Sequence, residues 1–324
     1  MDQKDVFKAW GTLLGGRKPL LSIELTKECP LHCPGCYAYD PQHLGGGITL
    51  RSLSDEKGDS LVARVLEIVD ELLPLHLSIV GGDPLVRFRE LQILLPEIAK
   101  RNIYVQLVTS AFRPIPAEWK SLRNCKLVVS IDGLPAEHDK RRAPATYDRV
   151  LKNVAGHQIT VHCTLTSQMF QRPGYLEEFL QLWQRRPEAN QIWISMFTPQ
   201  VGSSDAEILS REQREFAVSE LLRLLPTITK LDMSPSMLHA FLSPPHSPEE
   251  CVFSQVTETI SADLTTRITP CQFGGFPDCG QCGCAASMGL HALLGTRKLG
   301  GLPVRKLFNI SNAVGKRVRR FRAA

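Results

Sequence analysis

The 324-residue sequence has no stretch of about 20 consecutive apolar residues, the length that a helix needs to cross a lipid bilayer. Its first ten residues, MDQKDVFKAW, carry charges and no long apolar run follows them, so we expect no signal peptide. The expected compartment is therefore the reducing cytoplasm. There, a disulfide framework is not the expected use of ten cysteines.

Acidic residues are missing from the end of the chain. Residues 296–324 contain nine Lys and Arg and no Asp or Glu, whereas residues 1–295 contain 29 Lys and Arg against 33 Asp and Glu, a net charge of −4. Because the body has no basic excess, we expect no nucleic-acid partner. From Val304 onward, apolar residues recur at helical spacing among the basic ones. This pattern predicts an amphipathic helix, either packed as an ordinary helix or lying on an anionic membrane surface as a peripheral anchor.

Cysteine is abundant and clustered. Three cysteines follow the strand-like run 20–26, within the stretch CPLHCPGCY: Cys29, Cys33 and Cys36. Proline and glycine in this stretch oppose a regular helix and favour a loop. Three thiols without a fourth nearby suit an iron–sulfur cluster with one iron free of protein ligand, because a closed structural site usually has four ligands. The alternative is a zinc knuckle completed by His32 or His43.

Strand-like and helix-like segments alternate through the first two thirds of the chain. Six strands are predicted, at residues 20–26, 75–80, 103–108, 126–131, 159–165 and 191–197. Strands separated by helices indicate an α/β fold with a parallel sheet and right-handed crossovers. Sites in such folds form where the strands end. The candidate residues lie there: the cysteine loop, then Gly81, Gly82, Asp83 and Pro84, then Thr109 and Ser110, then Ser130 and Asp132.

The CxxxCxxC spacing, with Tyr37 directly after the last cysteine, resembles the signature of the radical S-adenosylmethionine (radical SAM) superfamily. The resemblance implies a partial (β/α)6 TIM-like barrel, a 4Fe-4S cluster on the three cysteines, and S-adenosylmethionine chelated at the open iron. In that family one electron from the cluster cleaves S-adenosylmethionine to a 5′-deoxyadenosyl radical, which abstracts hydrogen from a substrate. A reductase, flavodoxin or ferredoxin would supply the electron.

The resemblance also assigns cofactor-binding residues. The stretch Gly81 to Pro84 is similar to the family's GGEP motif, which holds the amino group of the methionine moiety, although Asp83 replaces Glu. The S-x-D-G stretch resembles that of peptide-modifying relatives, which implies that Ser130 and Asp132 lie near the ribose or carboxylate of the cofactor. The alternative is a simple turn that caps the next helix. Residues 138–142, HDKRR, look like the family's HDxxR segment or form a solvated charged face.

A second cysteine set lies near the end of the chain: Cys251, Cys271, Cys279, Cys282 and Cys284. So many thiols in a short segment indicate a metal site. The alternation over residues 257–268 predicts a β-hairpin that brings Cys251 and Cys271 together. This arrangement resembles the SPASM or twitch extension of radical SAM maturases, which implies an auxiliary 4Fe-4S cluster on the first four cysteines, with Cys284 spare or replacing one of them. A zinc site is the alternative.

The pattern divides the chain into four parts: a core barrel (1–200), a helical and Pro-rich linker (201–248), an auxiliary-cluster domain (249–295) and a basic tail (296–324). The maturase resemblance favours a peptide or protein side chain as substrate. A membrane lipid or isoprenoid is the alternative, because the basic tail and a C-terminal cysteine cluster also resemble lipid-modifying radical SAM proteins. A non-catalytic metal-binding carrier or scaffold is the hypothesis from a different class. Cys163, beside His162 on a predicted strand, is expected to be a buried structural thiol or a hydrogen donor.

Overall fold

A computed structural model describes residues 3–296, 298–299 and 301–323 of the chain, with the side chains of 3–6, 299, 322 and 323 left aside. A seven-stranded parallel sheet is its central feature, in the order β6-β5-β4-β3-β2-β1-β7. Its strands are β1 (Leu20–Glu24), β2 (His76–Val80), β3 (Tyr104–Thr109), β4 (Cys125–Ser130), β5 (Ile159–Leu165), β6 (Ala189–Met196) and β7 (Thr257–Ile260). The first six confirm the predicted strands.

Helices follow most strands and cover one face of the sheet. Through the described residues they are α1 (Gln3–Leu14), α2 (Gly58–Leu72), α3 (Phe88–Lys100), α4 (Pro135–Arg142), α5 (Tyr147–Asn153), α6 (Tyr175–Arg185), α7 (Arg211–Leu224), α8 (Pro235–Ala240), α9 (Val252–Val256), α10 (Ala285–Thr296) and α11 (Val304–Ala323). A two-stranded hairpin, β8 (Lys298–Leu299) with β9 (Leu302–Pro303), joins the last two helices. The architecture is the expected α/β partial barrel.

The two faces of the sheet differ in polarity. Successive side chains of a strand point to opposite faces, and on β1 to β6 one set is mainly apolar and buried with the helices, as Val161 and Cys163 are on β5. The other set is largely polar and includes Lys126, His162 and Ser195. The apolar face therefore makes the core, and the polar face lines the inside of the open barrel.

The β-hairpin predicted over residues 257–268 forms as a short antiparallel turn. Ile260 is bridged to Arg267, and the backbone N–H groups of Ser261 and Ile268 donate to the carbonyls of Thr266 and Thr259 (2.9 Å each). The sequence did not predict that β7 also lies parallel to β1, with Leu20 opposite Thr257 and Ile23 opposite Ile260. Alternation of apolar residues specifies a half-buried strand but not its partner, and here the partner is the first strand of the barrel.

The segment expected to be a linker packs against the barrel. Buried residues of α7, among them Val218 and Leu221, belong to the same hydrophobic core as the sheet. Leu231 forms a parallel bridge with Ile192 of β6. The segment therefore contributes to the core, and the proposed domain boundaries stay a prediction.

The basic tail forms the predicted helix, α11, which packs along α1. Trp10 donates a hydrogen bond to Ser311 (2.7 Å), and Phe308 is buried in a small cluster with Leu13. Another side of α11 is open to solvent, where Phe321 is 84% exposed. None of the helices in the described residues is long and apolar enough to cross a membrane.

The contact of α1 with α11 predicts the effect of a glycine substitution. An added Cβ at Gly315 would lie 1.9 Å from the carbonyl oxygen of Leu13. Although alanine favours helix more than glycine does, this clash would force the two helices apart. We expect Gly315→Ala to lower the free energy of unfolding by about 1–3 kcal/mol, measured as a lower apparent melting temperature.

Gly11→Ala is the matched control, because Gly11 lies in α1 and no atom comes within 4 Å of its added Cβ. It should leave the melting temperature unchanged or raise it, because alanine in a helix is up to about 1 kcal/mol more favourable than glycine. A stabilising Gly315→Ala would contradict the described packing.

Candidate functional site

The first three cysteines lie in the loop that follows β1, at the carboxyl end of the sheet. Cys29, Cys33 and Cys36 are each partly buried. Burial, together with the negative charges of Asp83, Cys33 and Cys36, raises the pKa of Cys29 to about 12. Bringing three thiolates together in a half-buried loop is unfavourable without a cation between them. Their donor chemistry and spacing therefore fit an iron–sulfur cluster, whose binding would deprotonate them.

The start of this loop is fixed by an ionic network that the sequence did not reveal. Asp55 accepts hydrogen bonds from the Thr26 hydroxyl (3.0 Å) and the Lys27 backbone N–H (3.3 Å). It also pairs with the buried guanidinium of Arg87, which donates to Glu28 (3.2 Å). These residues come from separate turns with no motif spacing, so only the fold brings them together.

The glycine turn after β2 lies directly against the cysteine loop. Gly81 and Gly82 have φ angles of +80° and +48°, a region that glycine adopts without strain. A Cβ at Gly81 would lie 2.2 Å from the Glu24 side chain, and one at Gly82 would lie 2.2 Å from the Glu28 carbonyl oxygen. Both glycines are therefore required for the backbone to approach the loop this closely.

Asp83 is 2% exposed, and both of its carboxylate oxygens are occupied by the protein itself. One accepts from the Leu85 N–H (3.0 Å) and the Thr109 hydroxyl (2.7 Å), and the other from the N–H (2.8 Å) and hydroxyl (2.5 Å) of Ser110. Pro84 begins the buried turn that follows. The carboxylate thus ties the ends of β2 and β3 together.

Asp132 is 4% exposed, and only one of its two carboxylate oxygens has a hydrogen-bond partner among the described residues. Its Oδ2 accepts from Arg142 (2.8 Å), whereas its Oδ1 has no partner among the described residues. Burial opposes ionisation, but Arg142 and Arg141 outweigh it and lower the pKa of Asp132. A buried carboxylate oxygen without a donor indicates a place for a ligand hydroxyl or ammonium. Ser130, the last residue of β4, lies opposite His162 in the strand register.

Residues 138–142 form part of the site and not a solvated face. His138 is buried, accepts from the Asp132 N–H (3.2 Å) and donates to the Ala145 carbonyl (2.9 Å). Arg141 donates to Glu207 (2.8 Å) and to the carbonyl of Pro34 in the cysteine loop (3.3 Å). The segment holds the Asp132 turn and the cysteine loop together.

The two histidines considered for a zinc knuckle, His32 and His43, lie in different surroundings. His43 is buried, with one ring nitrogen on Glu24 (2.8 Å) and the other on the Phe273 carbonyl (2.8 Å). His32 is exposed. Tyr37 lies edge-on to the rings of His43 and Phe273, with centroids 5.6 Å and 5.4 Å away.

The second cysteine set converges on one cavity. All five thiols line it, together with aromatic and proline side chains: Cys251, Cys271, Cys279, Cys282 and Cys284. Burial raises the pKa of Cys271 to about 12 and that of Cys279 to about 11. The five thiols therefore converge as the predicted auxiliary site requires, and the cluster itself stays a prediction. In the described residues, no group of three or more His, Cys, Asp or Glu has the arrangement for a metal ion.

Contacts distinguish two of these five thiols. The Cys251 sulfur lies 3.1 Å from the Ser287 hydroxyl, and the Cys284 sulfur accepts from the Gln272 amide (3.4 Å). The buried Arg214 donates to the carbonyl of Cys282 (2.8 Å) and fixes that turn. Which four would bind a cluster stays a prediction.

The lone thiols lie outside both sets. Cys163 is fully buried in the apolar core between sheet and helices, as expected for a structural thiol. His162, on the opposite face of β5, hydrogen-bonds the Ser195 hydroxyl (2.8 Å) inside the barrel. Cys125 packs against the same core as Cys163.

Comparison with known proteins agrees with this geometry. The chain matches the model of the Radical SAM superfamily over residues 23–211. No curated protein matches the sequence.

Several solved structures share the fold at low identity. SuiB of Streptococcus suis bound to S-adenosylmethionine is 14% identical (TM-score 0.53, covering 80% of this chain and 60% of SuiB). SuiB bound to its precursor peptide SuiA is 15% identical (TM-score 0.52, 80% and 61%). Native anSMEcpe with bound AdoMet is 15% identical (TM-score 0.53, 78% and 74%). The chain thus spans about three fifths of the length of SuiB.

The family model covers more than half of the chain and includes the cysteine loop, the glycine turn and the Asp132 turn. The chain belongs to the radical SAM superfamily of S-adenosylmethionine-dependent enzymes, whose membership implies a 4Fe-4S cluster and S-adenosylmethionine as cofactors.

Proposed function

We propose that this protein cleaves S-adenosylmethionine reductively and abstracts hydrogen from a peptide or protein side chain. The observation that carries the proposal is the juxtaposition of three features at one end of the sheet. These are the loop with three thiols, the glycine turn, which has no room for a Cβ atom, and Asp132, which has a buried oxygen without a partner among the described residues. Each feature suits one part of the same cofactor pair.

Different residues would bind the cluster and the separate groups of S-adenosylmethionine. Cys29, Cys33 and Cys36 would hold the cluster, and the backbone of the glycine turn would face the amino group of S-adenosylmethionine. Asp132 Oδ1 would accept a hydrogen bond from a cofactor hydroxyl, as a charged acceptor suits. When bound, the cofactor pair supplies the one-electron cleavage that yields the hydrogen-abstracting radical.

Arg142 would balance negative charge at the centre of this site. It is partly buried, bonds Asp132, and lowers the pKa of the Cys33 thiol against the larger, opposite effect of burial. A fixed cation there favours both thiolates and a carboxylate of the ligand.

A peptide substrate is supported by two observations. The fold is similar to that of SuiB, a structure of which contains the precursor peptide SuiA. The barrel's polar inner face, with Lys126, His162 and Ser195, offers hydrogen-bonding groups of the kind that peptide backbones require. We further propose an auxiliary 4Fe-4S cluster on the second cysteine set and a reductase, flavodoxin or ferredoxin as electron donor.

A lipid or isoprenoid substrate is the second candidate, and the open face of α1 and α11 favours it. Phe7 is 72% and Phe321 84% exposed, and Ile310 and Val314 are exposed on α11 as well. Basic residues of α11 flank these apolar groups, and this combination suits an anionic membrane surface. Peripheral binding would bring the barrel to a membrane-held substrate.

Replacing one cluster ligand tests the enzymatic proposal. With dithionite and S-adenosylmethionine under anaerobic conditions, wild-type protein should form 5′-deoxyadenosine and contain about eight iron atoms per chain, two four-iron clusters. Cys33→Ala should form none and contain about four. Cys125→Ser is the control, because Cys125 lies outside both sets. A wild-type protein that releases no 5′-deoxyadenosine would refute the proposal and leave the carrier or scaffold alternative.

Asp83→Asn tests the part played by the glycine turn. The amide has one acceptor oxygen and would place its N–H₂ against the Ser110 donors, so the ends of β2 and β3 should separate. We expect the dissociation constant for S-adenosylmethionine to rise about tenfold, the low end for loss of an outer-sphere partner, in equilibrium dialysis with reconstituted protein. Asp70→Asn is the control. It removes an exposed ion pair with Arg101 and should leave the dissociation constant for S-adenosylmethionine unchanged. Equal affinity in both variants would show that Asp83 does not position the turn.

Vesicle binding tests the second candidate. Co-sedimentation with phosphatidylglycerol-containing vesicles, against pure phosphatidylcholine, should detect binding that Phe321→Ser weakens about tenfold, since burial of a Phe side chain is worth about 1.5–3 kcal/mol. Phe216→Ser is the control, because Phe216 is a half-exposed Phe that lies on α7. Identical binding of both variants, or none by the wild type, would argue against a membrane-held substrate.

A further inference from the structure

The loop after the first cysteine set and the loop after Cys271 pack directly against each other. The rings of Tyr37 and Phe273 meet edge to face, with centroids 5.4 Å apart and planes at 85°. Tyr37 immediately follows Cys36, and Phe273 lies two residues after Cys271. The two candidate cluster sites are therefore joined by one aromatic contact.

His43 joins the same two loops through hydrogen bonds. One ring nitrogen contacts the Phe273 carbonyl (2.8 Å) and the other contacts the Glu24 carboxylate (2.8 Å), while Glu24 also accepts from the Ser261 hydroxyl (2.6 Å). Both partners of the ring are acceptors, so both nitrogens donate and the imidazole is cationic. The buried pair of charges thus ties β1, the cysteine loop and the C-terminal segment together.

The backbones of the loop that contains His43 and the loop after Cys271 are in close contact. Gly274 has a φ of +63°, and a Cβ there would lie 1.6 Å from the His43 carbonyl oxygen. A Cβ at Gly275 would lie 2.3 Å from the carbonyl oxygen of Gln42. Gln200 accepts from the Phe276 N–H (2.7 Å) and so fixes the far end of the C-terminal loop. A shift of either loop must therefore move the other.

Tyr37 also meets the ring of His43 edge-on, with centroids 5.6 Å apart. Tyr37, His43 and Phe273 therefore form one group of ring contacts between the loop of the first set and the loop after Cys271.

We propose that His43 is a positioning residue that couples the two thiol sites through Phe273, so that a cluster at one site stabilises a cluster at the other. This inference rests on the proposed function, since it requires that each cysteine set holds a cluster. Coupling between two binding sites is reciprocal, so loss of either cluster should loosen the other. The His43 ring contacts Glu24, Phe273 and Tyr37, so it would act through the positions of the two loops.

A double-mutant cycle tests the coupling. Four reconstituted proteins are compared: wild type, His43→Gln, a triple variant with Cys29, Cys33 and Cys36 changed to Ala, and the triple variant with His43→Gln. The half-life of the second cluster in excess chelator is followed by EPR of dithionite-reduced samples, in which S-adenosylmethionine distinguishes the first cluster. Apparent melting temperatures confirm that each protein is folded.

We expect His43→Gln and the triple variant each to shorten that half-life about tenfold, within the usual range for coupled sites, and their combination to add little. His157→Ala, at another buried histidine on a backbone carbonyl, should have no effect. An unchanged half-life in His43→Gln, or effects that multiply to about a hundredfold, would overturn the coupling and leave the proposed function intact. A wild type with only about four iron atoms per chain, together with a triple variant without any cluster, would overturn the second cluster and the coupling with it.

Discussion

The parallel pairing of β7 with β1 is the constraint on which the arrangement of the sites depends. It joins residues 20–23 to residues 257–260, from opposite ends of the sequence, in one register. Because β1 leads into the first cysteine loop and β7 lies between the second set's Cys251 and Cys271, this pairing brings both thiol sets to the same end of the sheet. The contacts of His43, Gln200 and Arg214 with the C-terminal segment then hold the second set against the barrel.

Charged groups at this end of the sheet are buried mainly in pairs. Glu24 lies with His43, Asp55 with Arg87, and Asp132 with Arg142. Burial of a charge is costly unless a partner and hydrogen bonds compensate it, and the partners of these pairs lie 10 to 32 residues apart in the sequence. The pairs fix the geometry of the cysteine loops, and Asp132 Oδ1 is the exception that leaves capacity for a ligand.

Much of the fold and of the primary site could be predicted because the signals are local. Strand ends, the CxxxCxxC loop and the glycine turn follow from residue type and spacing within short windows. The strand that pairs with β7 and the hydrogen-bond partners of the buried side chains could not be predicted from the sequence. The alternation over 257–268 specified a strand, but pairing with β1 depends on the whole barrel. Asp83 was expected to act on the cofactor mainly through the backbone of its turn or after a slight shift, and nothing in the sequence indicated that Thr109 and Ser110 would occupy its carboxylate oxygens. His43 was considered as a zinc ligand because nothing in the sequence connects it with Glu24 or Phe273.

Anomalous diffraction at the iron absorption edge, from anaerobic crystals of the reconstituted protein with S-adenosylmethionine, tests the account most directly. We predict two separate iron clusters per chain, one at Cys29, Cys33 and Cys36 and one among the five C-terminal cysteines, on either side of the Tyr37–Phe273 contact. A single iron site, or zinc at the C-terminal cysteines, would contradict the two-cluster account.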